Sequence, residues 1–336
     1  MPSCTSFPIG TRKSKLAVIQ SEIIREELEK HYPHLEFPII SRDTIGDEIL
    51  SKALFEFKRQ LAKSLWTREL EALLVTNQCR ILVHSLKDLP SEMPDGMVIA
   101  CIPKRSCPLD AIVFKAGSHY KTVADLPPGS VVGTSSIRRR ALLARNFPHL
   151  RFVDIRGNVG TRLAKLDAPD SQFDCLVLAA AGLFRLGLKD RIAQMLTAPF
   201  VYYAVGQGAL AVEVRADDKE MIEMLKPLQH QETLYACLAE RALMKRLQGG
   251  CAIPIGVQTD VLAISNSSYR ISLLGTVLSA DGLRAAFGNA EAVVSSEEEA
   301  EELGITVALA LLKNGAGPIL EEHQRSSDSE ESLKNY

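Results

Sequence analysis

The sequence has little of what marks a secreted, zinc-binding or membrane-spanning protein. Its seven cysteines are an odd number without CxxC spacing, so neither a disulfide framework nor a zinc site is indicated. The longest apolar run, residues 175–184, is about half of a membrane span. Residues 1–8 lack the apolar core of a secretory signal. We therefore expect a soluble chain in a reducing cytoplasm.

Excess charge is also missing, because the net charge of the 336 residues is only −2. The basic residues are nevertheless concentrated: the window 138–165 is +7, with Asp154 as its single acid, so the remainder is −9. This window contains only two aromatic residues, Phe147 and Phe152, and no RNA-binding or zinc-finger signature. A small polyanionic ligand is therefore favoured over a nucleic acid.

The length and the apolar pattern predict an α/β protein of two or three domains. Apolar runs alternate with helix-period segments through the first 215 residues, and the pattern restarts after residues 127–129. This predicts two successive α/β units, with linkers expected near 102–108 and 199–205. A third section begins near residue 217.

The third section has a different pattern. A helix is expected over 234–247, antiparallel strands near 257–262 and 269–278, and a last helix from Ser295-Ser296 to Asn314-Gly315. The polar tail after this helix is expected to be disordered.

A short apolar run stops abruptly in a polar cluster within residues 80–90. Residues 81–83 predict a buried strand and Pro90 ends regular structure, so Asp88 is expected at the carboxyl end of a strand. Open α/β sheets bind ligands at that edge, which makes this carboxylate a candidate catalytic group. A solvated turn also accommodates Asp beside Lys87, so the segment alone leaves both interpretations open.

The basic window contains a candidate anion site. Residues 133–139 place small hydroxyl residues after a strand and at a helix start, where free N–H groups favour an anion. Arg138 and Arg139 would add a clamp for carboxylate or phosphate. Residues 156–162 come after the next strand, and the βαβ rule puts them on the same sheet edge. A solvated helix face is the alternative.

Two glycine motifs complete the set. Gly249-Gly250 would present Cys251 on an exposed loop, either as a helix C-cap before an ordinary buried thiol or as a reactive, covalently modified thiol. Residues 204–209 form a glycine-bounded turn, which is either a hinge-like crossing or a direct ligand contact.

Five motifs in this order closely resemble the porphobilinogen deaminase (hydroxymethylbilane synthase) family, from about residue 9 to residue 320. They are His84-Ser85-Leu86-Lys87-Asp88-Leu89-Pro90, Gly133-Thr134-Ser135-Ser136-Ile137-Arg138-Arg139, Arg156-Gly157-Asn158-Val159-Gly160-Thr161-Arg162, Ala204-Val205-Gly206-Gln207-Gly208-Ala209 and Gly249-Gly250-Cys251-Ala252-Ile253-Pro254. The resemblance implies a transferase of haem and porphyrin biosynthesis. Such an enzyme condenses four porphobilinogens head to tail, releasing ammonia at each step and finally the linear tetrapyrrole hydroxymethylbilane.

The resemblance also implies two α/β lobes like those of periplasmic binding proteins and a smaller C-terminal α+β domain. We expect domain 1 over 1–105 and 204–218, domain 2 over 106–203, domain 3 over 219–322 and a disordered tail over 323–336. In this arrangement domain 1 carries the catalytic aspartate, domain 2 the arginine-rich grip and domain 3 the cofactor-anchoring cysteine.

The implied cofactor is a dipyrromethane, built from two further porphobilinogens and held by a thioether on Cys251. Asp88 becomes the catalytic carboxylate, and no metal is implied. The residues expected to bind the cofactor are Ser85, Lys87, Asp88, Thr134, Ser135, Ser136, Arg138, Arg139, Arg156 and Gly157. The residues expected to bind substrate are Arg12, Ser14, Lys63, Arg162, Arg185 and Gln207.

The physical argument agrees with this implication. Each pyrrole unit carries two carboxylates, so a growing chain needs many fixed cations, and a tether makes each coupling effectively intramolecular. Residues 55–66 depart from the family, which has a glycine-rich stretch before Lys-Gly-Leu-Phe, whereas Trp66 stands here in place of the phenylalanine. The geometry of that lid segment is therefore not carried over.

Two alternatives from other classes stay open. One is a non-enzymatic two-lobed anion-binding protein, and the other is a nucleic-acid-binding protein. We expect a monomer whose partner is the small molecule porphobilinogen, with no nucleic acid or membrane partner.

Overall fold

The computed structural model describes residues 5–42, 69–247 and 253–332. The strands are β1 (Ile9–Arg12), β2 (Ile39–Arg42), β3 (Ile81–Ser85), β4 (Met97–Cys101), β5 (Asp110–Phe114), β6 (Val131–Gly133), β7 (Arg151–Val153), β8 (Cys175–Ala179), β9 (Gln194–Leu196), β10 (Leu210–Arg215), β11 (Ile255–Ala263), β12 (Tyr269–Leu278) and β13 (Ala285–Val294). The helices are α1 (Lys15–His31), α2 (Ile137–Asn146), α3 (Val159–Asp167), α4 (Ala180–Arg185), α5 (Lys219–Leu225), α6 (Gln231–Arg246), α7 (Glu297–Leu311) and α8 (Gly317–Ser332). Residues 69–75 are also helical.

The chain divides into two compact units. Unit 1 contains Met1–Cys107, Ala181–Leu188 and Gly206–Leu234, and unit 2 contains Pro108–Ala180, Lys189–Val205 and Tyr235–Tyr336.

Unit 1 is built on one five-stranded mixed sheet in the order β2-β1-β3-β10-β4. β1 is parallel to β2 and β3, whereas β10 is antiparallel to β3 and β4. α1 begins after Ser14, whose side chain accepts a hydrogen bond from the Ala17 amide at 3.3 Å. Its buried Ile24 and Leu28 pack against Phe7 in the core of the sheet. This packing fixes the β1–α1 turn beside the end of β3.

Unit 2 contains a second five-stranded sheet in the order β7-β6-β8-β5-β9 and an antiparallel sheet in the order β11-β12-β13. The five-stranded sheets share one plan, because β6 is parallel to β7 and β8 while β5 is antiparallel to β8 and β9. α7 packs on β12 and β13, which makes the C-terminal part α+β. The predicted fold class, two α/β lobes with a smaller C-terminal α+β domain, is confirmed.

Two predicted boundaries differ from the structure, namely the start of domain 3 and the start of the disordered tail. Met221 and Leu225, which we assigned to domain 3, pack with Phe7 and Ile9 in the core of unit 1, because α5 presents its apolar face to that sheet. The tail expected to be disordered over 323–336 is helical as far as residue 332. Asn314-Gly315 does not end the helix but kinks it, with φ of +97° at Gly315, and the buried Ile319 and Leu320 anchor the next turn. The remaining domain boundaries stay predictions.

One helical stretch, Glu297–His323, is long and apolar enough to cross a membrane. It lies within the C-terminal part, and 44% of its most apolar window is buried inside the protein. A core helix of a soluble protein passes the same test, so the stretch is weak support for a membrane span.

Candidate active site

A cavity opens at the carboxyl end of β3, where a 3-10 turn over Leu86–Asp88 continues from the strand. It brings together four predicted site residues, Arg12, Ser14, Ser85 and Asp88. The other residues that line it are Leu16, Ala17, Gln20, Leu70, Val83 and His84. Asp88 therefore lies where the sequence pattern predicts it, half-buried at the mouth of a sheet-end cavity.

The turn that carries Asp88 is held by its first residue. Leu86 is fully buried, and its amide donates to the Ala209 carbonyl at 3.0 Å, which ties the turn to the chain just before β10. The Leu89 amide donates back to the Leu86 carbonyl at 3.1 Å. An apolar anchor of this kind fixes the backbone of the turn, from which Asp88 lines the cavity.

The buried glycine turn ahead of β10 contains another predicted residue, Gln207. Its side-chain oxygen accepts from the Lys87 ammonium at 3.2 Å, and its carbonyl accepts from Arg105 Nε at 2.7 Å. Arg185 donates to the adjacent Gly208 carbonyl at 2.7 Å, and burial lowers the pKa of its guanidinium to about 10. Three cations thus converge on one turn, so Lys87, Arg185 and Gln207 form a single hydrogen-bonded group.

Glycine is required at position 208. The residue has φ of +87°, and a Cβ there would lie 2.6 Å from the Ser106 carbonyl oxygen. The turn is therefore fixed by close backbone packing and strained for any larger residue.

The predicted anion site of unit 2 lies at the start of α2. Ser136 caps the helix by accepting from the Arg139 amide at 3.4 Å, and its own amide donates to Thr134 Oγ1 at 3.2 Å. Ser135 Oγ donates to the Ile155 carbonyl at 2.8 Å and accepts from the Ile155 amide at 3.1 Å. Ser135 thereby joins the β6–α2 loop to the β7–α3 loop, as the βαβ rule predicts.

The second loop is closed by its own polar contacts. Arg162 Nε donates to the Gly157 carbonyl at 2.7 Å, and Asn158 caps α3 by accepting from the Thr161 amide at 2.9 Å. Gly157 has φ of +116°, a backbone conformation that favours glycine. Arg156 Nη2 lies 3.7 Å from an Asp154 carboxylate oxygen and stays more than a third exposed.

Arg138 and Arg139 are buried beside the fully buried carboxylate of Asp110, at the start of β5. Asp110 accepts from Arg138 at 2.8 Å and from Arg139 at 2.7 and 3.0 Å. Arg138 Nη1 also donates to the Tyr202 carbonyl, and Arg139 Nη1 donates to the Val177 carbonyl. Burial alone would raise the pKa of Asp110, but the two guanidiniums outweigh it and hold that pKa well below its usual range. The three side chains together keep one net positive charge.

Comparison with known proteins decides the family. The model described as "Porphobilinogen deaminase, dipyromethane cofactor binding domain" matches residues 7–223, and the model described as "Porphobilinogen deaminase, C-terminal domain" matches residues 234–313. The chain belongs to the porphobilinogen deaminase family.

Relatives named porphobilinogen deaminase support the assignment. Those from Debaryomyces hansenii and Yarrowia lipolytica are both 46% identical to this chain over 93% of its length, covering 86% and 92% of the relatives. One from Synechococcus is 46% identical over 95% of this chain and 96% of the relative. Similar solved structures include a periplasmic aliphatic sulphonate-binding protein from Escherichia coli, 15% identical, with a TM-score of 0.38 over 73% of this chain and 71% of that chain.

A porphobilinogen deaminase should offer hydrogen-bond donors and positive charge to its dipyrromethane cofactor. The residues at the start of α2 offer both. The cofactor carries carboxylates on both rings, and this region offers hydroxyls, helix N–H groups and a buried cluster with a net positive charge. The expected contacts Thr134 to Ser136, Arg156 and Gly157 lie on the β6–α2 and β7–α3 loops, and Arg138 and Arg139 lie in the first turn of α2. Cys251 and Lys63 lie outside the described residues.

Two cavity residues were missed by sequence reasoning. Gln20 is 4% exposed and donates to Ser85 Oγ at 2.8 Å. Gln20 lies four residues from both Leu16 and Ile24, so it is a polar residue on the apolar stripe of α1. This exception to the pattern could have identified it as a candidate site residue. His84 is a polar residue inside an apolar strand run and could have been found in the same way.

Asp110→Asn is expected to lower the free energy of unfolding by about 3–5 kcal/mol, because it leaves two buried guanidiniums without their counter-ion. Since the pKa of Asp110 is lowered by folding, its contribution is present above the ordinary aspartate pKa and is lost as the pH falls through the folded-state pKa. Denaturant unfolding at neutral pH measures the loss.

Asp167→Asn is the matched control within unit 2. Asp167 accepts from Arg191 at 2.9 and 3.0 Å, but both side chains remain more than a quarter exposed. Its loss is expected to cost about 1 kcal/mol or less. Equal losses in the two variants would contradict a special role for the Asp110 cluster.

Proposed function

We propose that Asp88 is the catalytic carboxylate of this porphobilinogen deaminase. The observation that supports the proposal is the cavity at the end of β3, which holds Asp88 beside Arg12, Ser14 and Ser85. Arg12 and Ser14 are assigned to the carboxylate side arms of porphobilinogen, since a guanidinium and a hydroxyl are the donors such a group takes.

Charge development during the reaction explains why a carboxylate is needed. Loss of ammonia from the aminomethyl group of porphobilinogen leaves a positive charge that is delocalised over the pyrrole ring. An anion fixed in a partly buried cavity stabilises such a charge better than water does, because it need not reorganise. Asp88 in its ionised form fills this role and can also accept or return a proton.

The cationic residues of unit 2 are assigned to the acidic side arms of the bound pyrroles. When bound, the dipyrromethane supplies the pyrrole carbon at which the product chain is extended. The hydroxyls of Thr134 and Ser136 would donate to its carboxylates, and Ser135 would contribute by joining the two loops that contact the cofactor. The net charge of the Arg138–Arg139–Asp110 cluster would offset part of the negative charge. Arg156 and Arg162 would bind further carboxylates, including those of the incoming substrate.

The proposal is tested by the mass of the purified chain. We expect extra mass equal to a dipyrrole, carried on the Cys251 peptide, and a colour reaction with an aldehyde reagent for pyrroles. A fully active chain with unmodified mass would exclude the tethered primer.

The non-enzymatic alternative makes the opposite prediction about Asp88. An anion-binding protein would keep its function in Asp88→Asn and lose it when Arg138 or Arg156 is replaced. Ammonia release that depends on Asp88 would exclude that alternative. A flat salt titration with duplex and single-stranded probes would dismiss nucleic-acid binding.

Further parts of the proposal concern the surroundings of the site. Ser85 belongs to the lining of the cavity. We further propose that Lys87, Arg185 and Gln207 contact the cofactor or substrate from the neighbouring turn, and that Lys63 contributes from the segment with the atypical sequence. We also propose that the enzyme is a cytoplasmic monomer with no nucleic acid or membrane partner.

A further inference from the structure

A buried carboxylate in β10 has an imidazole of the Asp88 cavity as its partner. Glu213 is fully buried, and its Oε2 lies 2.8 Å from Nε2 of His84, which lines the cavity. Glu213 pairs directly with Leu82 across the β3–β10 ladder. His84 is two residues farther along the same face of β3, so the two side chains meet diagonally across the sheet.

Burying the His84–Glu213 pair lowers the stability of the fold, which a purely structural role does not explain. Neither Glu213 oxygen makes a regular hydrogen bond within the part of the chain that the structure describes, so the imidazole at ion-pair distance is its compensation. Burying a carboxylate with so few partners is unfavourable, and apolar residues of similar size would fill the same space at lower cost. A function at the cavity is the better account of the pair.

Three other charged or titratable groups lie near the pair. Arg12 and Asp88 face the same cavity, and Cys79 lies close enough to Glu213 to be affected by its charge. Burial is the main reason that the pKa of Cys79 is raised to about 12, so this thiol stays protonated and does not compete.

The reaction needs a group that moves a proton, and this need rests on the function proposed above. Each condensation breaks one C–H bond at a pyrrole carbon and releases one molecule of ammonia. With Nε2 directed to Glu213, Nδ1 is the ring nitrogen of His84 that can exchange a proton in the cavity. A carboxylate on the far nitrogen fixes the tautomer and stabilises the imidazolium that forms.

We propose that His84 is the proton-transfer group of the Asp88 cavity and that Glu213 is its positioning residue. The C–N bond of porphobilinogen breaks and releases ammonia, and the pyrrole carbon of the growing chain forms a C–C bond to the methylene carbon that is left. Nδ1 of His84, in its neutral form, then accepts the proton from that pyrrole carbon, while the electron pair of the broken C–H bond returns to the ring. The imidazolium passes the proton to the released ammonia, which leaves as ammonium. His84 is neutral again for the next condensation, so no further reactant is consumed.

The first test measures which nitrogen of the His84 ring carries the proton, in the cofactor-carrying protein without substrate. Nitrogen-15 NMR, recorded at a pH at which the ring is neutral, should show His84 protonated at Nε2, with the signal assigned by its absence in His84→Gln. A neutral ring protonated at Nδ1 would overturn the proposal, whatever the result for a variant of Glu213. Glu213→Gln should abolish the preference for the Nε2 tautomer.

The second test separates positioning from folding. Glu213→Gln should lower kcat about 10²-fold with KM nearly unchanged, and the double variant with His84→Gln should lose little more, because the two residues act as one group. Cys79→Ala, a buried neighbour outside the machinery, should retain both the tautomer and kcat. Normal turnover in His84→Gln would overturn the proton-transfer role.

The outcomes also separate this inference from the proposed function. Normal turnover in His84→Gln, combined with a dipyrrole on Cys251 and Asp88-dependent ammonia release, would contradict the role of His84 and leave the proposed function intact. A chain without a dipyrrole and without ammonia release would contradict the proposed function, whatever the tautomer of His84.

Discussion

Asp88→Asn is expected to retain the fold and the dipyrrole but to lower kcat about 10²- to 10⁴-fold. The amide keeps the shape of the side chain and removes the negative charge that offsets the cation left by ammonia. Because the effect arises when charge develops, kcat should fall much more than KM rises. Ammonia release under saturating porphobilinogen measures kcat, and intact-mass spectrometry verifies that the primer is in place.

Asp95→Asn is the matched control for this prediction. Asp95 lies on the exposed turn before β4 and undergoes the same change of charge, so a general electrostatic effect of one lost anion would show in both variants. We expect the control to turn over normally. Asp88→Asn turning over as fast as Asp95→Asn would remove Asp88 from the catalytic role.

The position of Asp88 could be predicted because its causes are local. An apolar run predicts β3, Pro90 ends regular structure shortly after the strand, and the carboxyl end of a parallel strand is where α/β sheets bind ligands. The anion site at α2 was predictable for the same reason, since Ser136 is both a helix cap and a neighbour of the free N–H groups. Local sequence therefore specifies where these groups lie.

Partners that are distant in sequence could not be predicted in this way. Asp110 is 28 residues before Arg138, and nothing in the pattern around either residue says that the strand order brings them together. Glu213 and His84 meet because β10 inserts between β3 and β4, an arrangement that periodicity does not determine. Tertiary pairing of this kind decides which charges are buried, and burial decides what they can do.

Long-range pairing also changes what the arginine-rich window means. The sequence predicts that Arg138 and Arg139 clamp a carboxylate or phosphate of a ligand, whereas the structure pairs both with the carboxylate of Asp110, with less than a tenth of their surface exposed. The cluster can still act on an anion through its net charge and through the helix N-terminus, but its geometry is fixed before any ligand arrives. Preorganised charge of this kind favours binding, because little side-chain freedom remains to be lost.

Cys251→Ser is expected to abolish turnover, because the hydroxyl cannot form the thioether that holds the primer. Without a tether, each coupling becomes an encounter between free molecules, and the intermediates diffuse away between steps. The variant should lack the dipyrrole mass, fail to react with the pyrrole reagent and unfold at a lower temperature, since the acidic side arms no longer offset the positive charge of the window 138–165.

Cys107→Ser serves as the control for the exchange of sulfur for oxygen. Cys107 is a free, half-buried thiol, and its replacement should leave both the dipyrrole mass and turnover unchanged. A Cys251→Ser chain that still carried a dipyrrole would place the anchor at another residue. Normal turnover without any bound dipyrrole would show that the acidic side arms are gripped tightly enough to retain the growing product without a covalent bond.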